Sequence, residues 1–370
     1  MESDWIGAHV DLLSLFCCIG SHPLRTALLR ANAVQVVTTA LVKLSVLVNV
    51  SGELVHFFAM RACFCYLSSC LDIPDDITLV LESVGAGLLQ AFCDCSTQFS
   101  KLASEDLKNV LDIVQDIVSR YLIYRSVIEA VDNAVSKIER GPQKGRVDAS
   151  LAKTVWDTFC ELAHERSASL VVAGVPQNGL CDNKMCQKKG YIDEFRQCTV
   201  CLNALYCSKA CQKIAWKKGN HKQMCSQWKF VKPDRSQISS LDRKFIKRLA
   251  IHDARSHLAH LRQLAQRDFL IVSCSDLVVC IDYCVVPTVF TLKQLRGYEY
   301  QYDRALPTYK AQNTELVERA QDDPASFTLI ETTVTHGRVS LILSDNLFRN
   351  IDSEYGGCIN LDAMRIIFGL

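Results

Sequence analysis

The sequence predicts a multi-domain chain: an all-α N-terminal domain, a small module near the centre built around two metal ions, and an α+β C-terminal segment. Three observations predict it. Apolar residues recur at three- and four-residue spacing through about the first 165 positions, seven of the 19 cysteines fall between Cys181 and Cys225, and short β-rich runs gather beyond residue 268. A length of 370 residues fits two to three domains at roughly 100–200 residues each. With 49% hydrophobic and 22% charged residues, the composition is that of a globular chain with a sizeable core.

The N-terminal domain, residues 1–170, reads as helix after helix. Ser104 to Ile123 carries Leu107, Val110, Leu111, Val114, Ile117, Val118, Tyr121 and Leu122 at helical spacing. Ser104 is its expected N-cap, and Glu105 and Asp106 suit the positive end of the helix dipole. A second run places Tyr124, Val127, Ile128, Val131, Val135 and Ile138 on one face, and a third, from Asp148, gathers Leu151, Val155, Phe159 and Leu162. Leu29–Val37 lines up with Leu81–Leu89 at an offset of 52, and Tyr124–Val131 echoes it at a further 43. The stretch Leu24–Leu44 resembles the last two helices of an armadillo repeat, so the domain is expected to be an armadillo-like stack or an irregular bundle.

The N-terminus is acidic at Glu2 and Asp4, with no small-residue cleavage site after an apolar core. The most apolar region, Ala31 to Val50, is interrupted by Lys43 and followed by Glu53, leaving uncharged runs short of the ~20 residues that span a bilayer. The expectation is a chain without signal peptide or membrane partner, intracellular, in the cytoplasm or nucleus. Thiols stay reduced there, so clustered cysteines read as metal ligands.

Residues 171–180, with Pro176, Asn178 and Gly179, form the expected linker. After the module at 181–225, the α+β region 226–370 opens with one or two helices across Ser240–Arg267, with Leu241, Phe245, Leu249, Leu258, Leu261 and Ala265 as apolar positions. Strands are expected at Phe269–Val272, Leu277–Tyr283, Thr288–Leu292, Phe327–Thr335 and Arg338–Ser344, the last two joined by a tight turn at His336-Gly337.

The central ligands come in four pairs: Cys181/Cys186, Cys198/Cys201, Cys207/Cys211 and His221/Cys225. Eight thiolate and imidazole ligands are what two tetrahedral zinc ions require. Cys207 and Cys211, like His221 and Cys225, are one helical turn apart and can present ligands from one face. Spacing alone allows the pairs to combine sequentially or in alternation. All eight positions are filled by protein, so the chemistry is structural, since a catalytic zinc keeps a position open for water.

Tyr206-Cys207-Ser208-Lys209-Ala210-Cys211-Gln212-Lys213-Ile214-Ala215-Trp216, followed by His221-Lys222-Gln223-Met224-Cys225, resembles the MYND-type zinc finger, over about 45 residues. Cys-Asp-Asn at 181–183 and the run from Trp216 to His221 look like variants in fungal MYND-type proteins. The four-residue gap inside the first pair departs from the family's usual two, and the spacer from Cys211 to His221 is longer than in many members. The resemblance implies interleaved sites: Cys181, Cys186, Cys207 and Cys211 on one zinc, and Cys198, Cys201, His221 and Cys225 on the other. It also implies a protein-interaction module that holds proline-rich peptides, with Thr199, Gln212 and Trp216 at the contact positions.

Between Cys181 and Arg262 lie 18 Lys+Arg and 6 Asp+Glu, a local net of +12 within a chain of net +1. Nucleic acid is therefore a possible partner, and a DNA-associated regulator the alternative function, although no recognition-helix signature accompanies the charge. A SET-type methyltransferase, which in one family encloses a MYND finger, would need Asn-His-Ser-Cys-like and Gly-Glu-Glu-Leu motifs. Only Ser51-Gly52-Glu53-Leu54 comes near, ahead of the finger, so the expectation is a non-enzyme. Cys63, Cys65, Cys70, Cys93 and Cys95 read as small buried apolar residues, and His252, His257 and His260 as surface or capping residues. The expected function is zinc-dependent protein–protein interaction through the finger and a helical scaffold.

Overall fold

The structure is a computed structural model. It describes residues 2–17, 22–51, 53–72, 77–172, 178–183, 185–186, 188–191, 194–200, 204–219, 221–223, 225, 238–273, 276–298, 317–318, 320–322, 327–336 and 339–349. The chain divides into two compact units.

The first unit, Met1–Leu170 with Tyr283–Thr288 and Val334–Ser340, is mostly helical. Its helices are α1 (Glu2–Cys17), α2 (Pro23–Arg30), α3 (Ala33–Val50), α4 (Leu54–Leu71), α5 (Ile77–Gly85), α6 (Leu88–Cys95), α7 (Ser104–Asp112), α8 (Arg125–Glu139), α9 (Gln143–Asp148) and α10 (Lys153–Val172). Helix α1 packs on α4, α3 on both α4 and α6, α4 on α7, α5 on α8 and α6 on α9. Helices α1 and α4 run parallel, since Gly7 abuts Ala59 and Arg61 pairs with Asp11 at 3.1 Å. The residue before α3, Asn32, and the one before α6, Gly87, both have positive φ (58° and 103°). These two joints are 55 positions apart, rather than the 52 at which the apolar residues align. At Gly87 a side chain would be strained, and its Cβ would lie 3.0 Å from Val42 Cγ2.

The core is aromatic at its centre, where Trp156 stacks between Phe92 and Phe159, and Phe99 meets Phe64 and Phe92 edge-on. The expected faces of α7 and α8 are buried at Val110, Val114, Val118, Val127, Ile128, Val131, Val135 and Ile138. Three expectations are corrected here. Ser104 is the first residue of α7 and Ala103 its N-cap, without a side-chain hydrogen bond. The long helix to Ile123 is broken by a π-helical turn, Ile113–Val118, where the Ser119 hydroxyl donates to Val114 O. Leu151 lies outside α10 and is 60% exposed; the buried face is Trp156, Phe159, Cys160 and Ala163. Phe159 is thus on the buried face as expected, while Leu151 precedes α10, which begins at Lys153.

Helices α3 and α4 are 18 residues each, long and apolar enough to cross a membrane by length and composition. The charge-free runs counted in the sequence understate this, because a helix tolerates one lysine at mid-length. In the folded unit, 44% and 56% of these two helices is buried. Cys63, Cys70, Cys93 and Cys95 are buried, and Cys65 is half-buried with its thiol donating to Asp106. Desolvation pushes Cys63 up to about 12 and Cys65 to about 11, so both stay protonated.

The second unit is Val171–Asp282, Val289–Thr333 and Leu341–Leu370. It contains hairpins β1 (Asn178–Leu180) with β2 (Lys189–Tyr191) and β3 (Arg196–Gln197) with β4 (Leu205–Tyr206). Helices α11 (Lys209–Lys218), α12 (Ser240–Ser256) and α13 (Leu258–Asp268) follow. Strands β5 (Leu277–Asp282), β6 (Val289–Gln294), β7 (Phe327–His336) and β8 (Val339–Arg349) make a sheet of order β6-β5-β7-β8. Leu277 pairs with Gln294 in antiparallel register and Val279 with Ile330 in parallel register. Thus Asn178–Leu180, expected to be linker, is a strand. Phe269–Val272, expected to be one, is a turn closed by Val272 N donating to Phe269 O, with Leu270 and Ile271 exposed. Leu241 is exposed rather than inward, because Phe245, Ile246 and Leu249 define the buried side of α12. The expected turn residue Gly337 lies outside the described residues. His257 stacks on Phe290 at 4.3 Å between ring centroids.

Candidate metal centre

Each half of the finger is a small device for aiming ligands. On the first hairpin, Cys181 N donates to Lys188 O, and Cys186 N to Asn183 O, which curls residues 181–186 into a knuckle. Asp182 clamps β4 by donating its N–H to Leu205 O (2.8 Å) and accepting Leu205 N on its carboxylate (2.6 Å). That clamp carries Cys207 to Cys181, where Cys207 N donates to Cys181 Sγ at 3.5 Å. Ser208 caps α11, its hydroxyl accepting from Cys211 N (3.1 Å), so the helix starts where it can aim Cys211 inward. On the second hairpin Cys198 N donates to Ala204 O, closing the turn that contains Thr199 and Val200.

Two ligand groups result. The Sγ atoms of Cys181, Cys186, Cys207 and Cys211 lie within 4.8 Å of one another, and the ligand atoms of Cys198, His221 and Cys225 do the same. Cys201 lies outside the described residues. The pairs therefore combine in alternation, first with third and second with fourth. Cys186, despite its unusual spacing, sits 3.6 Å from Cys207 Sγ, and Cys207 sits 3.5 Å from Cys211. Cys198 and Cys225 approach to 3.7 Å. A tetrahedron with Zn–S of about 2.3 Å has S···S edges of about 3.8 Å, so these sulfurs stand at nearly the separations zinc imposes.

The thiols differ in electrostatics. Hydrogen bonds from the Asn183 side chain and from Ser208 lower Cys211 from 9.0 to about 6. Cys207, whose thiol donates to Cys211, is pushed up to about 12, and burial raises Cys181. A bound cation would displace the protons that Cys181 and Cys207 hold. Little hydrophobic packing supports this arrangement. Phe195, Ala204, Tyr206 and Ala215 are the buried apolar residues beside the cysteines. His221 is held between rings, with Tyr206 at 5.5 Å and Trp216 at 5.7 Å, both edge-on.

Of the expected contact residues, Thr199 lies on the exposed turn, Gln212 is half-buried on α11, and Trp216 follows one turn later, 37% exposed. Asp182, Asn183 and Ser208 escaped the sequence reading as supporting residues. Their signals were present, in a carboxylate and amide directly after Cys181 and a serine three residues ahead of Cys211.

A metal-binding finger held by cysteine and histidine is the class these features define. Residues 181–225 match the MYND finger family, and they form a structural binding domain of the kind that typically mediates protein–protein interaction. Searches of curated proteins and of solved structures with this chain returned no match.

Proposed function

We propose that this chain is a non-enzymatic, intracellular protein-interaction protein whose finger is folded by two structural zinc ions. The carrying observation is the pair of Cys/His groups with sulfur separations of 3.5–3.7 Å inside the MYND-matched segment. Cys181, Cys186, Cys207 and Cys211 would hold one ion; Cys198, Cys201, His221 and Cys225 would hold the other. With four protein ligands each, the ions would supply cross-links between hairpins, not a site for substrate. The finger is read as a peptide-docking module in which Thr199, Gln212 and Trp216 contact proline-containing segments, an extended partner that loses little entropy on binding. The helix-on-third-helix stacking supports an armadillo-like scaffold that offers the second surface.

Elemental analysis of the purified full chain tests the metal, with two zinc per chain expected. Fluorescence anisotropy of a labelled proline-rich peptide against the zinc-loaded chain and its Trp216→Ala variant tests the docking. No saturable binding, or binding indifferent to Trp216, would remove the peptide reading.

A further inference from the structure

Helix α11 has two unlike sides. Cys211 and Ala215 are buried against the metal centre, while Lys209, Lys213 and Lys217 form an exposed row at four-residue intervals. Lys218 and Lys222 extend the charge beyond the helix end, and both are exposed. Among the described residues no carboxylate pairs with any of these five; Asp182, the nearest acidic side chain in sequence to the first ligand, is committed to Leu205 N. Gln212 and Trp216 border the row on one side and Ile214 on the other, Trp216 and Ile214 being 37% and 39% exposed.

We infer that the finger's partner is an acidic protein segment, bound extended along α11 with carboxylates at alternate positions facing the lysine row. This rests on the reading of the finger as an interaction module and names the chemistry of its partner. The register follows from backbone geometry. Four helical residues advance about 6.0 Å, and two extended residues about 6.6 Å, so alternate carboxylates meet successive lysines. Charge complementarity supplies attraction, and the sulfur ligands of the finger sit on the far side of the helix. A nucleic acid would meet the same lysines, but this face has no arginine to fork onto phosphate or base edges. Nor does it offer an open aromatic platform, since Trp216 is edge-packed on His221 and nearly two-thirds covered.

The test uses the zinc-loaded full chain and a fluorescein-labelled peptide, Glu-Pro-Glu-Leu-Glu-Pro-Glu, beside its Gln-for-Glu counterpart and a short dT oligonucleotide. The acidic peptide is expected to bind about tenfold or more tightly than the Gln peptide, with affinity falling as salt rises from ~50 to ~300 mM. The Lys209→Glu/Lys213→Glu/Lys217→Glu variant should lose about tenfold or more at unchanged zinc content. The corresponding Lys→Gln variant should lose less, and it carries the test if the first fails to hold zinc. Equal binding of the Glu and Gln peptides would overturn the acidic partner while leaving the interaction module intact. Tighter binding of the oligonucleotide would overturn it in favour of nucleic acid, and no binding by either peptide would overturn both readings.

Discussion

Replacing Cys207 by alanine tests the finger most directly, because that sulfur touches two others in its group, at 3.6 and 3.5 Å, while its own N–H bonds a third. Structural zinc in small modules contributes ~10–16 kcal/mol at neutral pH. Whole domains are stable by only ~5–15 kcal/mol. Among the described residues the finger's buried non-cysteine apolar side chains are Phe195, Ala204, Tyr206 and Ala215, little to hold two hairpins and a ten-residue helix once an ion is lost. Cys207→Ala should therefore unfold the segment from β1 to His221 while sparing α1–α10. The readouts are zinc content, which should fall by at least one ion per chain relative to the wild type, and limited proteolysis, which should cut within 181–225 and leave a resistant N-terminal fragment. Far-UV circular dichroism should change little, since α11 has ten residues and α10 alone has twenty. Full zinc content with an unchanged digestion pattern would refute the reasoning. So would loss of the N-terminal fragment, because the metal would then support far more than the finger.

Three further outcomes follow from individual residues. Cys211 has its thiol lowered from 9.0 to about 6, so its stabilising contribution is full above pH 9 and lost as pH falls through about 6. In the zinc-free chain, alkylation of Cys211 should therefore persist to lower pH than that of an ordinary thiol, and Asn183→Ala should shift that profile upward; a Cys211 alkylation profile unchanged by Asn183→Ala would contradict this. Trp156→Ala, at the centre of the aromatic cluster, should cost ~3–5 kcal/mol in urea unfolding of the helical unit at unchanged zinc content. Gly87→Ala should cost ~1–2 kcal/mol, since φ is +103° and the new methyl lies 3.0 Å from Val42, whereas Gly85→Ala meets nothing within 4 Å and should be near neutral in thermal melts.

Local pattern and local chemistry are what the sequence could carry. Helical periodicity in α7 and α8, the short β-rich runs of β5 and β7, and the eight Cys/His positions are all set by residues a few places apart. The resemblance to a MYND finger was legible for the same reason, since zinc ligation fixes residue type and spacing tightly. Misreadings arose where a short segment's state depends on distant neighbours. Leu270 and Ile271 have strand-forming composition but pair with no strand among the described residues, and Asn178–Leu180 has linker composition but pairs with Lys189–Tyr191. The π-helical turn inside the Ser104–Ile123 run leaves the apolar pattern nearly intact and so left no sign.

By itself, then, the sequence marked out the candidate ligands and the mostly helical character of the first unit, because metal-ligand spacing and helical pitch are local constraints. Only tertiary structure decided which pairs share a site. Spacing permits sequential or alternating combination, and the Asp182–Leu205 clamp brings the third pair onto the first. It likewise separated the buried side of α11 from its lysine row, which in the sequence is one undivided run of basic residues around a tryptophan.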